Sequence, residues 1–188
     1  MVIRILVVYL CTKTGHFLLF FMITTKISIK PHLAEYVRGR FGTNEGYIRF
    51  PDRFDIYHTI FDLTEKRPKQ CRPDTGNIEI ILPDRREGKS PKYYNYLSAR
   101  SQRIIERKIE FMFWAEVRSH IDCQYHTSGL KYIESIGIFM GMYGIESITE
   151  DALQKNYYRW RKKMLNLKKR AYFSKKNHRL SVSICPLK

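Results

Sequence analysis

The sequence predicts a mainly helical α+β fold: a helical core, a small two-stranded β element and a C-terminal hairpin of helix-turn-helix type. Three observations predict it. Residues 92–122 carry no glycine or proline and repeat apolar residues at helical spacing. A second pair of amphipathic stretches lies on either side of Gly144. Two short internal segments, residues 47–50 and 77–82, have strand-like content. A chain of 188 residues that is 44% apolar and 14% aromatic can bury a core of its own.

The N-terminus comes first. Residues 5–11 and 17–23 are apolar runs separated by Thr12, Lys13, Thr14, Gly15 and His16. Neither approaches the roughly 20 residues of a spanning helix, so no stable membrane span is expected. No small-residue cleavage site follows, as a signal peptide would require. The composition changes at Met22, which suggests that translation begins there. The alternative is an N-terminal strand or anchor.

Pro31 suits the first turn of a short helix carrying Leu33, Tyr36 and Val37, ending near Gly39 and Gly42. Residues 46–50 suit a short strand closed by Pro51. Asp52 is a suitable N-cap for a helix to about Lys66, with Phe54, Tyr57, Ile60, Phe61 and Leu63 near one face, stopped by Pro68. The segment 77–82 is expected to pair with residues 47–50. Ser90 and Pro91 then cap a long helix running to about Asp122, which Ser98 and Ser101 can divide. Its apolar residues include Tyr94, Leu97, Ile104, Ile105, Ile109, Met112, Trp114 and Ala115, and Arg100, Arg103, Arg107 and Lys108 lie opposite.

From Ser128 or Gly129 a further helix carries Leu130, Ile133, Ile136, Phe139, Met140 and Tyr143, and Gly144 fits the left-handed position that ends it. Thr149 is the expected N-cap of the last helix, with Glu150 and Asp151 on its positive end. Leu153, Trp160 and Tyr157 are its inward candidates. The expected organisation is an apolar extension at 1–28, a helical core with the β element at 29–127, a helix-turn-helix-like unit at 128–170 and a disordered basic tail at 171–188.

Charge directs attention to the same end. There are 34 Lys and Arg against 18 Asp and Glu, a net charge of +16. The last acid is Asp151, and twelve cations follow it. An acid-free cationic segment interleaved with Tyr157, Tyr158, Trp160, Tyr172 and Phe173 indicates nucleic acid, and a helix-turn-helix indicates duplex DNA. The candidate contact residues are Lys155, Tyr158, Arg159, Arg161, Lys162, Lys163, Lys168, Lys169 and Arg170. Arginine can fork onto guanine in the major groove, while lysine pairs with phosphate. On single strands or RNA, the rings would serve as stacking platforms. A homodimer is the assembly considered. Glu150 departs from the motif, because it stands where an apolar residue is common.

Catalytic patterns are sparse. His120, Cys123 and His126 offer zinc-type donors, but a structural site needs a fourth, and only distant Cys71, Cys185 or His178 remain. Pro73-Asp74 with Glu87-Gly88-Lys89 outlines a metal-dependent nuclease, although here the second element falls in a polar turn. Tyr93, Tyr94 and Tyr96 lack a recognisable activating Arg and His set. No cofactor is expected, and the alternatives to DNA binding are a nuclease or accessory enzyme and an RNA- or protein-interaction module. Four dispersed cysteines suit reduced thiols and a cytoplasmic, nucleoid-associated setting.

Residues 31–36 (PHLAEY), 83–86 (PDRR), 96–101 (YLSARS) and 148–153 (ITEDAL) resemble uncharacterised basic proteins of Bacteroidetes prophages and mobile elements. The similarity spans about residues 26–170. It implies a mobile-element setting and transfers no catalytic residue.

Overall fold

The computed structural model describes residues 5–11 and 17–182, with side chains described over residues 22–172. Three antiparallel strands, β1 (Ile5–Cys11), β2 (Phe17–Ile27) and β3 (Ile78–Ile81), lie in the order β1-β2-β3. Five helices accompany them: α1 (Pro31–Phe41), α2 (Asp55–Leu63), α3 (Ala99–Ser128), α4 (Tyr132–Tyr143) and α5 (Glu150–Val182). The fold is mainly helical with a small sheet, as the apolar periodicities predict.

Strand β2 has two halves. Residues 17–23 pair with β1, and Thr24 to Ile27 pair with Ile81 to Ile78 of β3. Strand β2 enters the core through buried Ile23 and fully buried Ile27, which lie on the same side as Ile78 and Ile80 of β3. The partner of β3 is therefore β2. The segment at 47–50 meets β3 only at Ile48, whose N–H donates to the Glu79 carbonyl at 2.9 Å and whose carbonyl accepts from Ile81 at 2.9 Å. Pro51 directly after this segment leaves little length for a ladder.

Helix α3 begins later than its sequence suggests. Ser98 is its N-cap, with Oγ accepting from the Ser101 N–H at 3.3 Å. Residues 90–97 form a turn and an extended strap instead. Tyr93 and Tyr94 N–H groups both donate to the Ser90 carbonyl at 3.0 Å, and Tyr96 exchanges backbone hydrogen bonds with Glu65 at 3.0 and 3.2 Å. Tertiary pairing thus satisfies a backbone that local propensity would have coiled. At the other end α3 runs through Ser128 and closes on Gly129, so α4 starts at Tyr132 and Leu130 lies in the connection. The boundary expected at residue 127 falls inside α3.

Two further expectations are corrected. Asp52 makes no cap: Phe54 precedes α2, and Asp55 supplies the acid of its first turn. Of the disordered tail expected at 171–188, residues 171–182 instead continue the backbone of α5 to Val182 without a break, and the remainder lies outside the described residues. No proline or glycine lies between Gly144 and Val182 to stop it.

The core is built on one row of α3. Ile105, Ile109, Phe113, Val117 and Ile121 recur every four residues and are buried. Each buried Ile contributes about 1.5–3 kcal/mol relative to exposure. Phe113 and Phe139 pack with Tyr36 at centroid distances of 5.2 and 6.5 Å, and Tyr143 lies 5.2 Å from Tyr36. Tyr36 and Tyr143 both donate to Glu116, which also pairs with Arg40. Burial pushes the Tyr36 hydroxyl up to about 12.

Helix α1 crosses α4 with almost no clearance at Gly39, where an added Cβ would stand 2.6 Å from the Tyr143 carbonyl oxygen. Replacing glycine by alanine inside an exposed helix normally stabilises by up to about 1 kcal/mol. Gly39→Ala is expected to have the opposite sign and to cost about 1–3 kcal/mol in urea unfolding. A neutral or stabilising result would refute the close contact.

Candidate nucleic-acid interface

The interface is built on α4, its turn and the root of α5. Gly144 ends α4 at φ +60°, where a side chain would be strained. Ile145 next to it is buried, and its N–H donates to the Met140 carbonyl at 3.0 Å. The turn is then held from outside by Glu35 of α1. One carboxylate oxygen of Glu35 accepts from the N–H of Glu146 at 3.0 Å, the N–H of Ser147 at 3.1 Å and the Ser147 hydroxyl at 2.8 Å. Desolvation pushes this carboxyl upward, but the hydrogen bonds from Ser147 and Glu146 outweigh it and leave it below its ordinary value.

Thr149 caps α5 as its sequence predicts, with Oγ1 accepting from the Ala152 N–H at 3.3 Å. Glu150 and Asp151 occupy the first turn. Glu150 is exposed and its carboxylate lies beside Gly137 of α4. Leu153 and Tyr157 are buried, and Trp160 packs partly buried against the core. The Tyr157 hydroxyl donates to Asp122 of α3, and the Arg118 guanidinium lies 5.0 Å from the Trp160 ring centroid. Burial first, then the Asp122 carboxylate, raises the Tyr157 pKa.

Beyond this root the helix leaves the core. Every residue from 161 to 172 is exposed, a length of about 18 Å at 1.5 Å per residue. All nine candidate contact residues are exposed: Lys155, Tyr158, Arg159, Arg161, Lys162, Lys163, Lys168, Lys169 and Arg170. Lys155 is partly neutralised by Asp151 at 2.6 Å. Arg161 donates to the Tyr132 hydroxyl and lies 5.3 Å from its ring centroid. Among the described residues no acid pairs with the other cations of this set. Arg159, Lys162, Lys163 and Arg170, with Asn166 and Leu167, line a shallow concavity of about 370 Å³.

The aromatic expectation changes. Tyr157 and Trp160 face inward and cannot be platforms, whereas Tyr158 and Tyr172 are exposed. The Phe173, Lys175, Lys176, Arg179 and Lys188 side chains lie outside the described residues. Tyr125, Lys131, Tyr132 and Gln154, which sequence reasoning missed, stand beside Tyr158 around a second concavity of about 340 Å³. They come from three helices, so no sequence spacing joins them.

The metal candidates do not converge. His120 packs on Phe139 at 5.5 Å, Cys123 is exposed, and His126 lies beside Tyr125 at 5.3 Å. Adjacent members of the set share a helix face, but His120 and His126, six residues apart, diverge by about 120° around the axis. Among the described residues no group of three or more His, Cys, Asp or Glu is placed to hold an ion. Asp74 is paired with Arg67, and Lys89 donates to the Asp62 and Thr64 carbonyls at 2.6 and 2.8 Å.

A larger groove of about 670 Å³ lies between α1, α2 and α3, lined by Phe54, Ile56, Phe111 and Met112 among others. Its cations are matched, Arg40 by Glu116 and Lys108 by Asp55. It offers no free charge to a phosphate. No described helix is long and apolar enough to cross a membrane. Comparison with protein-family models, curated proteins and solved structures finds no match.

The Glu35 bracket gives a pH-dependent expectation. A carboxyl lowered by folding stabilises fully above its unfolded value of 4.5 and loses that contribution as pH falls through the folded value. Glu35→Ala is therefore expected to lower the urea midpoint at neutral pH, with the difference from the parent protein shrinking as pH falls below 4.5 through the lowered folded value. Equal loss at neutral and acidic pH would dismiss the charge-assisted bracket.

Proposed function

We propose that this chain is a double-stranded DNA-binding protein that docks through α5, with α4 and its turn acting as a helix-turn-helix-like mount. The observation that carries the reading is the exposure of the α5 cations on a helix that, among its described side chains, is buried at the root alone. An α-helix with its side chains is about 10–12 Å across, and the major groove of B-DNA is about 12 Å wide. The projecting part of α5 therefore matches that groove in width, with cations around its circumference to meet phosphates on either side.

Roles follow from position. Arg159, Lys162, Lys163 and Arg170 lie along one concavity of the helix, suited to base edges and the adjoining phosphates. Lys168 and Lys169 extend the charge outward. Arg161, held against Tyr132, is a preset phosphate contact close to the core. Lys155 contributes less, because Asp151 already answers it. Transcriptional control or mobile-element maintenance is the process proposed, and the resemblance to prophage proteins implies a mobile-element setting.

The test is a salt-resolved binding series on duplex DNA. The parent protein is expected to lose affinity steeply with salt, and Arg159→Ala, Lys162→Ala and Lys163→Ala together should weaken binding by about tenfold or more at moderate salt. The same triple change should make the salt slope shallower by about three. The three side chains are exposed and no acid among the described residues pairs with them, so stability should be unchanged. Unaltered affinity or slope would reject α5 as the contact, and preference for an acidic polypeptide over duplex would reject DNA.

A further inference from the structure

We infer that the concavity at the root of α5 takes an unpaired nucleobase, so that the preferred ligand is a duplex bearing a single-stranded extension. This rests on the reading of α5 as a DNA-binding helix and specifies what lies at its inner end. The pocket is formed where the end of α3, the start of α4 and the second turn of α5 meet, and it is lined by Tyr125, Lys131, Tyr132, Ile133, Gln154 and Tyr158.

Three tyrosines from three helices converge there. Tyr132 is half-buried, with its ring 5.0 Å from Tyr125 at 46° and 5.9 Å from Tyr158 at 70°. Tyr125 and Tyr158 remain 45% and 47% exposed, although both adjoin a packed core. Both rings therefore keep surface that a planar ligand can reach, with His126 against Tyr125 at 5.3 Å. The Arg161 guanidinium on the Tyr132 ring and hydroxyl fixes the central ring in place.

The remaining lining makes the pocket more than an aromatic hollow. Gln154 presents an amide with both donor and acceptor, which matches the mixed edge of a base. Lys131 supplies a cation for the attached phosphate. No carboxylate lines the pocket. The neighbouring Glu134 is engaged at the start of α4, where it accepts from the Lys131 N–H at 3.1 Å. A planar ring, a donor-acceptor edge and a tethered anion together describe a nucleotide rather than a lipid or an aliphatic side chain.

The base must be unpaired, because stacking on tyrosine requires a face that a duplex keeps covered. Continuity with α5 sets the path. Tyr158 and Lys162 are four residues apart and neighbours on one helix face. A strand leaving the pocket at Tyr158 thus passes directly to the concavity lined by Arg159, Lys162 and Arg170.

The experiment compares a blunt duplex with the same duplex carrying a short single-stranded extension that contains 2-aminopurine, using the full chain. The extension is expected to improve affinity by about tenfold, with quenching of the 2-aminopurine signal. Tyr125→Ala with Gln154→Ala should abolish the gain and the quenching while leaving blunt-duplex affinity within about twofold. Tyr125→Trp should retain both, which separates loss of stacking from loss of fold. Equal affinity of the parent protein for the two duplexes, or a gain that survives the double change, overturns the inference while leaving α5 as the DNA contact. Failure of the parent protein to bind either duplex overturns both.

Discussion

Burial of Leu153 and Tyr157 against α3 and α4 fixes where the cationic helix leaves the core, and the other features of the surface depend on that exit point. The first three turns of α5 must satisfy two demands at once. Their inner face has to pack, which Leu153, Tyr157 and Trp160 do, and Tyr157 adds a hydrogen bond to Asp122 that prevents a simple slide of one helix past another. Their outer face already carries Lys155, Tyr158 and Arg159. By residue 161 the inner demand has ended, and α5 continues with all sides exposed. The exposed stretch at residues 161–172 buries little against the core, and helix propensity alone stabilises it little. Its cations repel one another, and phosphates would relieve that repulsion.

The mount is built to hold direction rather than to add contacts. Glu35, on the first helix, receives three hydrogen bonds from the turn that precedes α5. Gly39, one turn further along the same helix, lets α1 approach the last residue of α4. Both ends of the α4–α5 connection are thus referenced to α1. The Glu116 cluster of Tyr36, Arg40 and Tyr143 ties α1 to α3 and α4 at the same level. A small angular error at the root would be magnified along the projecting helix, so rigidity at this point matters more than elsewhere.

Much of this was legible in the residues. Pro31, Gly144 and Thr149 mark three helix ends by chemistry that acts locally, and the structure places each as expected. The inward positions Leu153, Tyr157 and Trp160 and the exposure of the nine candidate contacts also follow from helical spacing. What could not be read depends on partners distant in sequence. The strap at residues 90–97 is extended because Tyr96 finds Glu65, and β3 is paired by β2 rather than by its nearer neighbour at Ile48. The tyrosine pocket is hidden for the same reason, since Tyr125, Tyr132 and Tyr158 share no periodicity. The end of α5 was missed through composition, because a run of cations suggests disorder even where no residue breaks the helix.

The central claim is that α5 beyond its buried root is the surface that meets DNA. Backbone hydrogen exchange along α5, measured with and without duplex, tests it most directly. In the free protein, amides around Leu153 and Tyr157 should be protected and those at residues 164–172 should exchange rapidly. Duplex should slow exchange across residues 159–170 and leave the groove between α1, α2 and α3 unchanged. Unaltered exchange along α5, with new protection appearing elsewhere, would contradict the account.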